Sequence, residues 1–389
     1  MKIVVIPATY NEKGNIEKLI SILEEEVFPK IKGHELSILV ADDNSPDGTG
    51  DVVKELMKKW ENLGLNSGEK KGLGAAYIRS MTYAIEHLKA DVVISIDADL
   101  QFDPHMIPKY LEKIERGNDV VTGTRYSGGG SMPPNWPIHR KAFSISGNLI
   151  VRLVTGRVWL HDWTSGFRAY RKEVFLKERD KLRPYSGYTF QVAALYKSLL
   201  DGYKVAEVPI HFRDRKLGSS KIAPLQYIVN LLFYVFKERF WELVHSPFLK
   251  YGITGFVGYI INAVSLEVLV QGAGLASPLA AFFSAELSII WNFIVNNSWS
   301  FSHQKIEKKS KLFIKFLQFN LVSAGSLALI TGSIWISTHI FGDTVVVRQV
   351  TLPLAIGFLV IPYSYSMYNL FIWKRWHVSF LSKFQNMVG

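Results

Sequence analysis

Residues 91–101 of the chain read DVVISIDADLQ. The β-branched run at 92–96 is too short for a helix and is typical of a buried strand. Asp97 and Asp99 follow it, at the carboxyl end of a strand, where open α/β sheets bind ligands. Magnesium commonly takes one or two carboxylates together with substrate phosphates. An isolated acidic pair is more often a pair of solvated loop acids, so the metal–diphosphate site that this stretch suggests depends on what surrounds it.

Strands and helices alternate on both sides of this stretch. The hydrophobic patterns predict strands at 2–6, 36–41, 92–96 and 119–123, and helices at 15–26, 51–60 and 72–87. This alternation predicts an α/β fold with a mostly parallel, doubly wound sheet. The loops that follow the strands of such a sheet face one crevice, so residues 7–12, 42–47 and 97–101 are expected to converge there.

The last third of the chain is different in character. Four apolar stretches, at 251–270, 279–301, 313–341 and 345–373, are close to or above the roughly 20 residues that cross a bilayer. They predict an all-α transmembrane domain of four helices. The Met1 end shows no cleavable signal peptide.

The charge distribution gives these spans an orientation. The formal net charge is +11, but much of the excess lies in the lysine-rich loop at 305–315 and after residue 373. The connection at 271–278 has no charged residue. By the positive-inside rule, we expect the large N-terminal domain and both termini to be cytoplasmic. This placement favours a lipid bilayer as partner and argues against nucleic-acid binding.

Two further segments, 138–154 and 224–244, combine basic and aromatic residues at helical spacing. Such helices lie well in a membrane interface, although ordinary core-facing helices have similar patterns. The predicted organisation is therefore a soluble domain at 1–222, an interfacial helix at 223–245 and a membrane domain at 246–389. The absence of cysteine excludes disulfides and thiolate metal sites.

A set of seven motifs occurs in order along the soluble part. They read PATYNE at 7–12, DDNSPDGT at 42–49, GLGAAY at 72–77, DADL at 97–100, GTRY at 123–126, TSGFRAY at 164–170 and GSSK at 218–221. In these motifs the chain resembles the dolichol-phosphate (polyprenol-phosphate) mannose synthases, inverting family-two glycosyltransferases with the GT-A fold. The match covers about the first 240 residues, and the membrane part resembles the four-helix domain fused to some members. Family members often have Glu where Ser219 stands.

The resemblance implies GDP-mannose as donor and Mg²⁺ or Mn²⁺ as cofactor. It assigns the metal to Asp99 and Gln101 and the donor sugar to Asp162. It implies that the nucleotide sugar is bound by Pro7, Ala8, Tyr10, Glu12, Asp42, Asp97, Ala98, Asp99, Gln191, Arg215 and Lys221. Asp97, Asp99, Arg125 and Arg140 are the expected catalytic residues. A basic loop ahead of a membrane helix would also explain Arg215 and Lys221.

A lipid phosphate fits as the acceptor. A hydroxyl acceptor needs a general base, and related polysaccharide synthases supply an acid in a Glu-Asp motif and carry a Gln-x-x-Arg-Trp motif. This chain has no Glu-Asp pair, and Ile372 stands at the Gln position. A phosphate monoester has a second pKa of about 6 and is largely dianionic near neutrality, so it needs cations to position it rather than a base. Arg125, Arg140 and Ser144 are expected to bind it, unless Arg140 merely binds lipid headgroups.

Other functions remain open at this point. A polyprenyl-phosphate glucose synthase that uses UDP-glucose is the nearest alternative. A processive polysaccharide synthase is disfavoured by the missing motifs. A lipid-linked sugar flippase is a third possibility, but the intact acidic set argues against it.

Overall fold

The computed structural model describes residues 1–214, 225–342 and 344–374. The chain divides into two compact units, Met1–Arg239 and Phe240–Gly389. The predicted Arg215 and Lys221, together with Ser219, lie outside the described residues.

A seven-stranded sheet forms the centre of the first unit, in the order β3-β2-β1-β4-β6-β5-β7. The first four strands in that order are parallel, β6 is antiparallel to both of its neighbours, and β5 is parallel to β7. The predicted mostly parallel sheet is therefore confirmed. The strands are β1 (Lys2–Thr9), β2 (Glu35–Asp42), β3 (Leu63–Ser67), β4 (Val92–Asp97), β5 (Val120–Thr124), β6 (Arg168–Arg171) and β7 (Val205–Pro209).

Eight helices begin within the described part of the first unit. They are α1 (Lys13–Ser21), α2 (Thr49–Leu56), α3 (Leu73–Glu86), α4 (Ile107–Glu115), α5 (Ile138–Thr155), α6 (Lys172–Leu182), α7 (Gly187–Leu200) and α8 (Leu225–Val244). A π-helical turn, Ile22–Val27, extends α1. The sequence patterns predicted α1, α2, α3, α5 and α8 but missed α4, α6 and α7.

Both faces of the sheet are buried, as a parallel sheet covered by helices requires. Alternate side chains of β1 enter opposite layers. Val4 and Ile6 pack in the cluster that contains Tyr77 of α3 and residues of α6, α7 and α8. Ile3 and Val5 pack in the cluster formed with α1, α2 and α4. This arrangement leaves the carboxyl edge of β1, β2 and β4 clear for a site.

Helices α5 and α8 both bury one side and expose apolar residues on the other. In α5, Val151 is fully buried, whereas Phe143 is 69% exposed. In α8, Val235 is fully buried in the core of the first unit and Phe233 is 69% exposed. Large exposed apolar faces of this kind mark surfaces that meet another apolar phase. The interfacial placement of α8, and the alternative interpretations of α5, stay predictions.

The second unit is helical. Its helices are α9 (Pro247–Glu267), α10 (Ser277–Val295), α11 (Lys309–Phe341), α12 (Val345–Ala355) and α13 (Ile361–Met367), and π-helical turns extend α9, α10, α12 and α13. Within the described residues, three helices are long and apolar enough to cross a membrane: Pro247–Gly272, Lys311–Phe341 and Pro353–Ile372. The fourth predicted span, which includes α10, is not among them, so the count of four stays a prediction.

Candidate active site

The ends of β1 and β2 are tied together by Asp42. This carboxylate is 2% exposed and accepts hydrogen bonds from the Thr9 hydroxyl at 2.8 Å and from the Ser45 hydroxyl at 2.6 Å and amide at 2.9 Å. The predicted nucleotide ligand Asp42 therefore also fixes the loop after β2 against β1. Its convergence with the β1 tail at the crevice is confirmed.

A second acid at this edge was missed by the sequence reasoning. Asp43 accepts from both Nη1 and Nη2 of Arg79, each at 3.2 Å, and Arg79 Nε donates to Asn66 Oδ1 in β3. Burial raises the pKa of Asp43 above its usual value, although the Arg79 guanidinium opposes the shift. Asp43 is next to Asp42 in the motif, but its partner on α3 is far away in sequence, so only the fold reveals the pair.

The remaining residues predicted for the nucleoside lie at the end of β1. Tyr10 is 37% exposed, and the Lys70 ammonium lies 3.4 Å from the centre of its ring. The Glu12 amide donates to the Thr49 hydroxyl, and its carboxylate accepts from Asn15 at 2.7 Å. Pro7 is buried and Ala8 half-buried, and in β1 Ala8 pairs with both Ala41 and Asp97. The structure thus brings these residues to one edge.

Asp97 ends β4 beside two elements that approach from other parts of the chain. The Tyr77 hydroxyl of α3 lies 3.4 Å from Asp97 Oδ1. A Cβ at Gly166 would lie 3.3 Å from both carboxylate oxygens, so Gly166 lets the backbone of the 164–170 motif approach Asp97 closely. Burial and the neighbouring Asp97 raise the pKa of Tyr77 well above its usual value, which keeps the phenol protonated as a donor.

The loop after Asp97 gathers oxygen-bearing side chains. Leu100 has a φ of +60°, and the chain turns back so that the backbone amide of Gln101 donates to Asp99 Oδ1 at 3.1 Å. Gln101 Nε2 donates to the Arg213 carbonyl at 3.1 Å, which orients the carboxamide. Asp99 and Gln101 are 4% and 6% exposed, and Ala98 between Asp97 and Asp99 is 1% exposed. The bend therefore holds a carboxylate and a carboxamide on one short loop.

This donor set fits a hard cation that shares its coordination with a diphosphate. Carboxylate and amide oxygens are ligands that Mg²⁺ and Mn²⁺ accept, and Mg²⁺ sites often use only one or two carboxylates plus substrate phosphates. Within the described residues, no group of three or more His, Cys, Asp or Glu side chains could hold a metal alone. A cation held by Asp99 and Gln101 would therefore need substrate phosphates or water to complete its coordination shell.

Arg125 and Asp162 form a buried ion pair after β5. Arg125 Nε lies 2.7 Å from Asp162 Oδ2, and Nη2 lies 2.9 Å from Oδ1 and 2.8 Å from the Thr164 hydroxyl. Burial alone would raise the pKa of Asp162, but the Arg125 guanidinium and backbone amides of Arg125 and Thr164 hold it below its usual value. The predicted acceptor ligand Arg125 and the predicted sugar ligand Asp162 are therefore each other's partners.

Arg140 belongs to the same cluster through aromatic rings. Its guanidinium carbon lies 3.8 Å from the centre of the Trp136 ring. Trp136 packs edge-on against Phe212 at 5.8 Å, and the Arg125 guanidinium lies 5.3 Å from the Phe212 ring. Cation–π stacking orients the plane of a guanidinium group. The structure brings Arg125 and Arg140 to one cluster.

Ser144 lies one helical turn beyond Arg140 on α5. Its hydroxyl is 2.6 Å from the Tyr126 hydroxyl. The Arg125 guanidinium lies 5.1 Å from the Tyr126 ring. The three residues predicted to bind the acceptor phosphate, Arg125, Arg140 and Ser144, are thus connected by a short chain of contacts.

Two residues that the sequence reasoning missed hold this cluster in place. Glu207 of β7 accepts from the amides of His161 and Asp162, at 2.6 and 3.0 Å. Asn148 of α5 is 3% exposed and accepts from the Trp163 amide at 2.8 Å. The sequence alone does not identify Glu207 as the partner of residues 161–163. That pairing becomes visible only when the position of β7 in the sheet is known.

The predicted donor ligand Gln191 is buried and does not lie at the protein surface. It is 3% exposed on α7, and its backbone carbonyl accepts from Arg168 Nη1. Arg168 is fully buried and also donates to the Trp163 carbonyl at 2.7 Å. In the described part of the chain, the Gln191 Nε2 and Arg168 Nε atoms have no hydrogen-bond partner. The role of Gln191 in donor binding stays a prediction.

Two family models match the chain. Residues 3–178 match the glycosyl transferase family 2 model, and residues 250–373 match the GtrA/DPMS transmembrane domain model. The two matched regions correspond to the two structural units.

The curated proteins that are similar in sequence include three mannosyltransferases or mannose synthases. A dolichol-phosphate mannosyltransferase from Pyrococcus furiosus is 34% identical over 83% of this chain and 87% of that protein. A polyprenol monophosphomannose synthase from Mycolicibacterium smegmatis is 35% identical over 57% of this chain and 80% of that protein. An undecaprenyl-phosphate mannosyltransferase from Micrococcus luteus is 36% identical over 57% of this chain and 88% of that protein.

A solved structure is also similar, at a level that carries no functional argument. Glucosyl-3-phosphoglycerate synthase from Mycobacterium tuberculosis, in complex with Mn²⁺, UDP and phosphoglyceric acid, matches 60% of this chain and 75% of that chain with a TM-score of 0.41 and 19% identity. The sequence relatives are the decisive comparison, because the Pyrococcus protein is matched over nearly its whole length. The chain belongs to the dolichol-phosphate and polyprenol-phosphate mannosyltransferases, glycosyltransferases of family 2 that here carry a GtrA/DPMS membrane domain.

Proposed function

We propose that this enzyme transfers mannose from GDP-mannose to dolichyl or polyprenyl phosphate at the cytoplasmic face of the membrane, with inversion at the anomeric carbon. The observation that carries the proposal is that two unlike groups of residues are neighbours: Gln101 of the acidic loop donates to the Arg213 carbonyl, and the adjacent Phe212 ring lies 5.3 Å from the Arg125 guanidinium. An acidic strand end at Asp97 and Asp99 suits a cation-bound diphosphate, and the cluster of Arg125 and Arg140 suits a second phosphate. The mannosyltransferase names of the relatives agree with it.

The reaction that this arrangement supports is a single displacement. An oxygen of the lipid phosphate forms a bond to the anomeric carbon, the bond from that carbon to the diphosphate oxygen breaks, and the electron pair leaves with GDP. The attacking phosphate is largely dianionic near neutral pH and requires no proton transfer. Arg140 and Ser144 would orient it from α5, and the Arg125–Asp162 pair would fix the wall between acceptor and donor.

Asp99 and Gln101 would hold Mg²⁺ or Mn²⁺, with Asp97 beside them. The cation supplies charge neutralisation on the departing diphosphate. The sharp bend at Leu100 holds the two ligands in place before the substrate arrives, so little ordering is needed on binding. The Asp97 carboxylate lies against Gly166, and the donor sugar or its nucleotide would contact it there.

The nucleoside would lie along the edge of β1, β2 and β3. Tyr10 would offer a stacking surface for the base, and the Lys70 ammonium over its ring would bring positive charge to this edge. Pro7, Ala8 and Glu12 would line the opposite side, and Asp42 and Asp43 offer acceptors for base or ribose N–H and O–H groups. Gln191 would complete the donor contacts from α7. Arg215 and Lys221 remain sequence-based candidates for the diphosphate.

The location rests on two features of the chain. The exposed apolar faces of α5 and α8 are suited to the membrane interface, where a polyprenyl headgroup must be reached. The distribution of lysine around the membrane helices supports four spans with a cytoplasmic catalytic domain and cytoplasmic termini.

A donor screen tests the proposal. Full-length enzyme is incubated with a polyprenyl phosphate and radiolabelled GDP-mannose, UDP-glucose or UDP-N-acetylglucosamine, and the organic phase is counted. We expect label in the lipid only from GDP-mannose. Transfer from UDP-glucose at a higher rate would establish the glucose alternative, and product movement across vesicles without any transfer would establish the flippase alternative.

A further inference from the structure

A basic cavity lies within the second unit, far along the chain from the motifs of the active site. It has a volume of about 380 Å³. Five lysines and one glutamate line it: Lys305, Glu307, Lys308, Lys311, Lys315 and Lys374. A lysine-rich loop is expected at a cytoplasmic membrane boundary, but that rule only requires the charges to lie on one side. It does not require them to surround one cavity.

The loop that carries three of these residues is held by a buried asparagine. Asn297 is 7% exposed, its Oδ1 accepts from the Ile306 amide at 2.9 Å, and its Nδ2 donates to the Ile306 carbonyl at 3.2 Å. Asn297 Oδ1 also accepts from Trp373 Nε1 at 3.1 Å. One side chain therefore fixes the 305–308 segment to the end of the last helix. These hydrogen bonds hold the charged wall of the cavity in a defined position.

The opposite wall is fixed in the same way. Lys315 is 6% exposed and donates from Nζ to the Phe371 carbonyl at 2.9 Å, in the last turn of the π-helical segment Tyr368–Ile372. The Trp373 ring stacks on Phe301 with ring centres 4.2 Å apart and planes 12° apart. Phe301 and Trp373 end two similar stretches, residues 297–301 and 369–373, so the two halves of this unit meet beside the cavity.

Three of the lysines that line the cavity do not form ion pairs with carboxylates of the described residues. In the described part of the chain, Lys305, Lys308 and Lys311 make no ion pair with an acid within 4.0 Å, and all three are exposed. Bringing like charges together costs free energy unless an anion neutralises them. A cavity of this composition therefore favours an anionic occupant.

The position of the cavity identifies the class of anion. Lys311 begins one of the three candidate spans, Lys311–Phe341, and Ile372 ends another, Pro353–Ile372. The cavity thus lies at the ends of membrane helices, at the depth where lipid headgroups lie. Beyond Lys311, the apolar side chains of Phe313, Leu317 and Leu321 are 67%, 53% and 74% exposed along α11. A headgroup in the cavity would have its tails beside this apolar surface.

We propose that the lysine cavity of the membrane domain binds the phosphate headgroup of an anionic membrane lipid. Basic pockets between transmembrane helices on the cytoplasmic side are suited to such headgroups. Lysine binds phosphate as a flexible point charge, so the site recognises negative charge rather than one stereochemistry. It shares no residue with the acceptor cluster of Arg125 and Arg140, and it does not depend on which sugar the enzyme transfers.

Native mass spectrometry of the full-length protein in detergent tests this assignment. The probes are dioleoylphosphatidylglycerol, dioleoylphosphatidylcholine with the same tails but no net charge, a short polyprenyl phosphate, and inorganic phosphate. The test variant is Lys308→Gln/Lys311→Gln. The matched control is Lys237→Gln/Lys250→Gln, which removes two charges near the membrane helices but outside the cavity. Thermal unfolding and transfer to a soluble short-chain acceptor verify that both variants fold.

We expect the wild type to bind phosphatidylglycerol in preference to phosphatidylcholine. The cavity variant should bind it about ten- to thirty-fold more weakly, because each juxtamembrane lysine is worth about 1 kcal/mol towards an anionic surface and 1.4 kcal/mol is tenfold in affinity. The control should lose less than about three-fold. A larger loss for polyprenyl phosphate than for phosphatidylglycerol would still support a lipid phosphate and would identify the isoprenoid as its source.

Three results would overturn the assignment. Equal weakening in the control variant would show a diffuse charge effect. Equal binding of the two glycerophospholipids would exclude an anion site. Displacement of the lipids by inorganic phosphate at the same concentration would show that the cavity binds the free ion and that the tails contribute nothing.

Discussion

Arg125 and Asp162 neutralise each other inside the site, with Nε–Oδ2 and Nη2–Oδ1 distances of 2.7 and 2.9 Å. The Arg125 side chain is 9% exposed and that of Asp162 is fully buried. Burial opposes the charge on Arg125, but Asp162 raises the pKa of the guanidinium above its already high value. The Arg140 guanidinium instead stacks on the Trp136 ring. The two arginines therefore have different consequences when they are removed.

Removing Arg125 should destabilise the catalytic domain. Arg125→Ala leaves the Asp162 carboxylate buried without its partner, which typically costs about 3–5 kcal/mol. We expect a markedly lower melting temperature, and a double variant Arg125→Ala/Asp162→Ala that is less destabilised than the sum of the single changes. Thermal unfolding of the four proteins measures the coupling. Strict additivity would contradict a coupled ion pair.

Removing Arg140 should weaken binding of the acceptor phosphate and leave the fold intact. Its guanidinium stacks on Trp136 at the surface of α5. A charge-assisted bond to phosphate is worth about 1.5–3 kcal/mol, so Arg140→Ala should lower kcat/KM for polyprenyl phosphate by about ten- to a hundred-fold. GDP-mannose affinity, measured by calorimetry, should be unchanged. Arg152→Ala, on the same helix, is the control. A collapse of donor affinity in Arg140→Ala would assign this arginine to the diphosphate instead.

The sequence predicted most of the residues at the crevice because strand ends carry them. Asp42, Asp97 and Asp99 each follow a run of apolar residues, and parallel strands bring their carboxyl ends to one edge. The antiparallel β6 was missed because its four residues, Arg168–Arg171, include three polar or half-polar side chains. Its register against β4 is what brings Gly166 over Asp97.

Pairings across the sheet were beyond sequence reasoning. Arg79 with Asp43 and Glu207 with His161 join residues 36 and 46 positions apart. In neither pair do the two residues belong to the same sequence motif, so no motif indicates that they are in contact. The aromatic link from Arg140 through Trp136 and Phe212 to Arg125 likewise depends on how two loops pack. Local patterns identify elements, whereas such contacts follow from tertiary packing.

Removal of divalent cations, or of the Asp99 charge proposed to bind one, should abolish transfer. Asp99→Asn keeps the size and the hydrogen-bond acceptor for the Gln101 amide but removes the negative charge that a divalent cation requires. We expect turnover to fall by about a thousand-fold or more, as for loss of a dominant electrostatic contribution, with unchanged melting temperature. EDTA should have the same effect, and added Mn²⁺ or Mg²⁺ should reverse it.

Asp119→Asn is the matched control for this prediction. Asp119 lies at the other end of β5 and accepts from the Lys204 amide, away from the crevice. It should retain nearly full activity. Undiminished transfer in EDTA, after exhaustive removal of divalent ions, would refute the assignment of Asp99 and Gln101.

A buried acid on α6 should make stability depend on pH. Glu178 is 1% exposed, accepts from the Ser198 hydroxyl at 3.2 Å, and burial raises its pKa to about 8. The folded protein therefore holds this proton more tightly than the unfolded chain. The associated stability is complete below the ordinary Glu pKa of about 4.3 and is lost as the pH rises to about 8.

Glu178→Gln should remove the loss of stability at high pH. The amide resembles the protonated acid, so we expect little change in melting temperature at pH 5 and an increase of roughly 5 °C at pH 8. Calorimetric or fluorescence melting at both pH values is the measurement. Glu173→Gln, an exposed position on the same helix, should shift neither temperature. An equal shift of Glu178→Gln at pH 5 and pH 8 would show that its ionisation is not responsible.

Truncation should separate the fold of the catalytic domain from the membrane spans. Three residues of α8, Leu231, Tyr234 and Val235, are buried in the core of the first unit. Burying each such side chain contributes about 1.5–3 kcal/mol, and together this approaches the whole stability of a typical domain. A chain that ends at His245, after α8, should therefore fold, bind GDP and transfer mannose to a short-chain acceptor in detergent. A chain that ends at Asp214 should aggregate or melt far below it. If the longer chain folds and binds GDP but transfers nothing, the membrane helices supply part of the acceptor site.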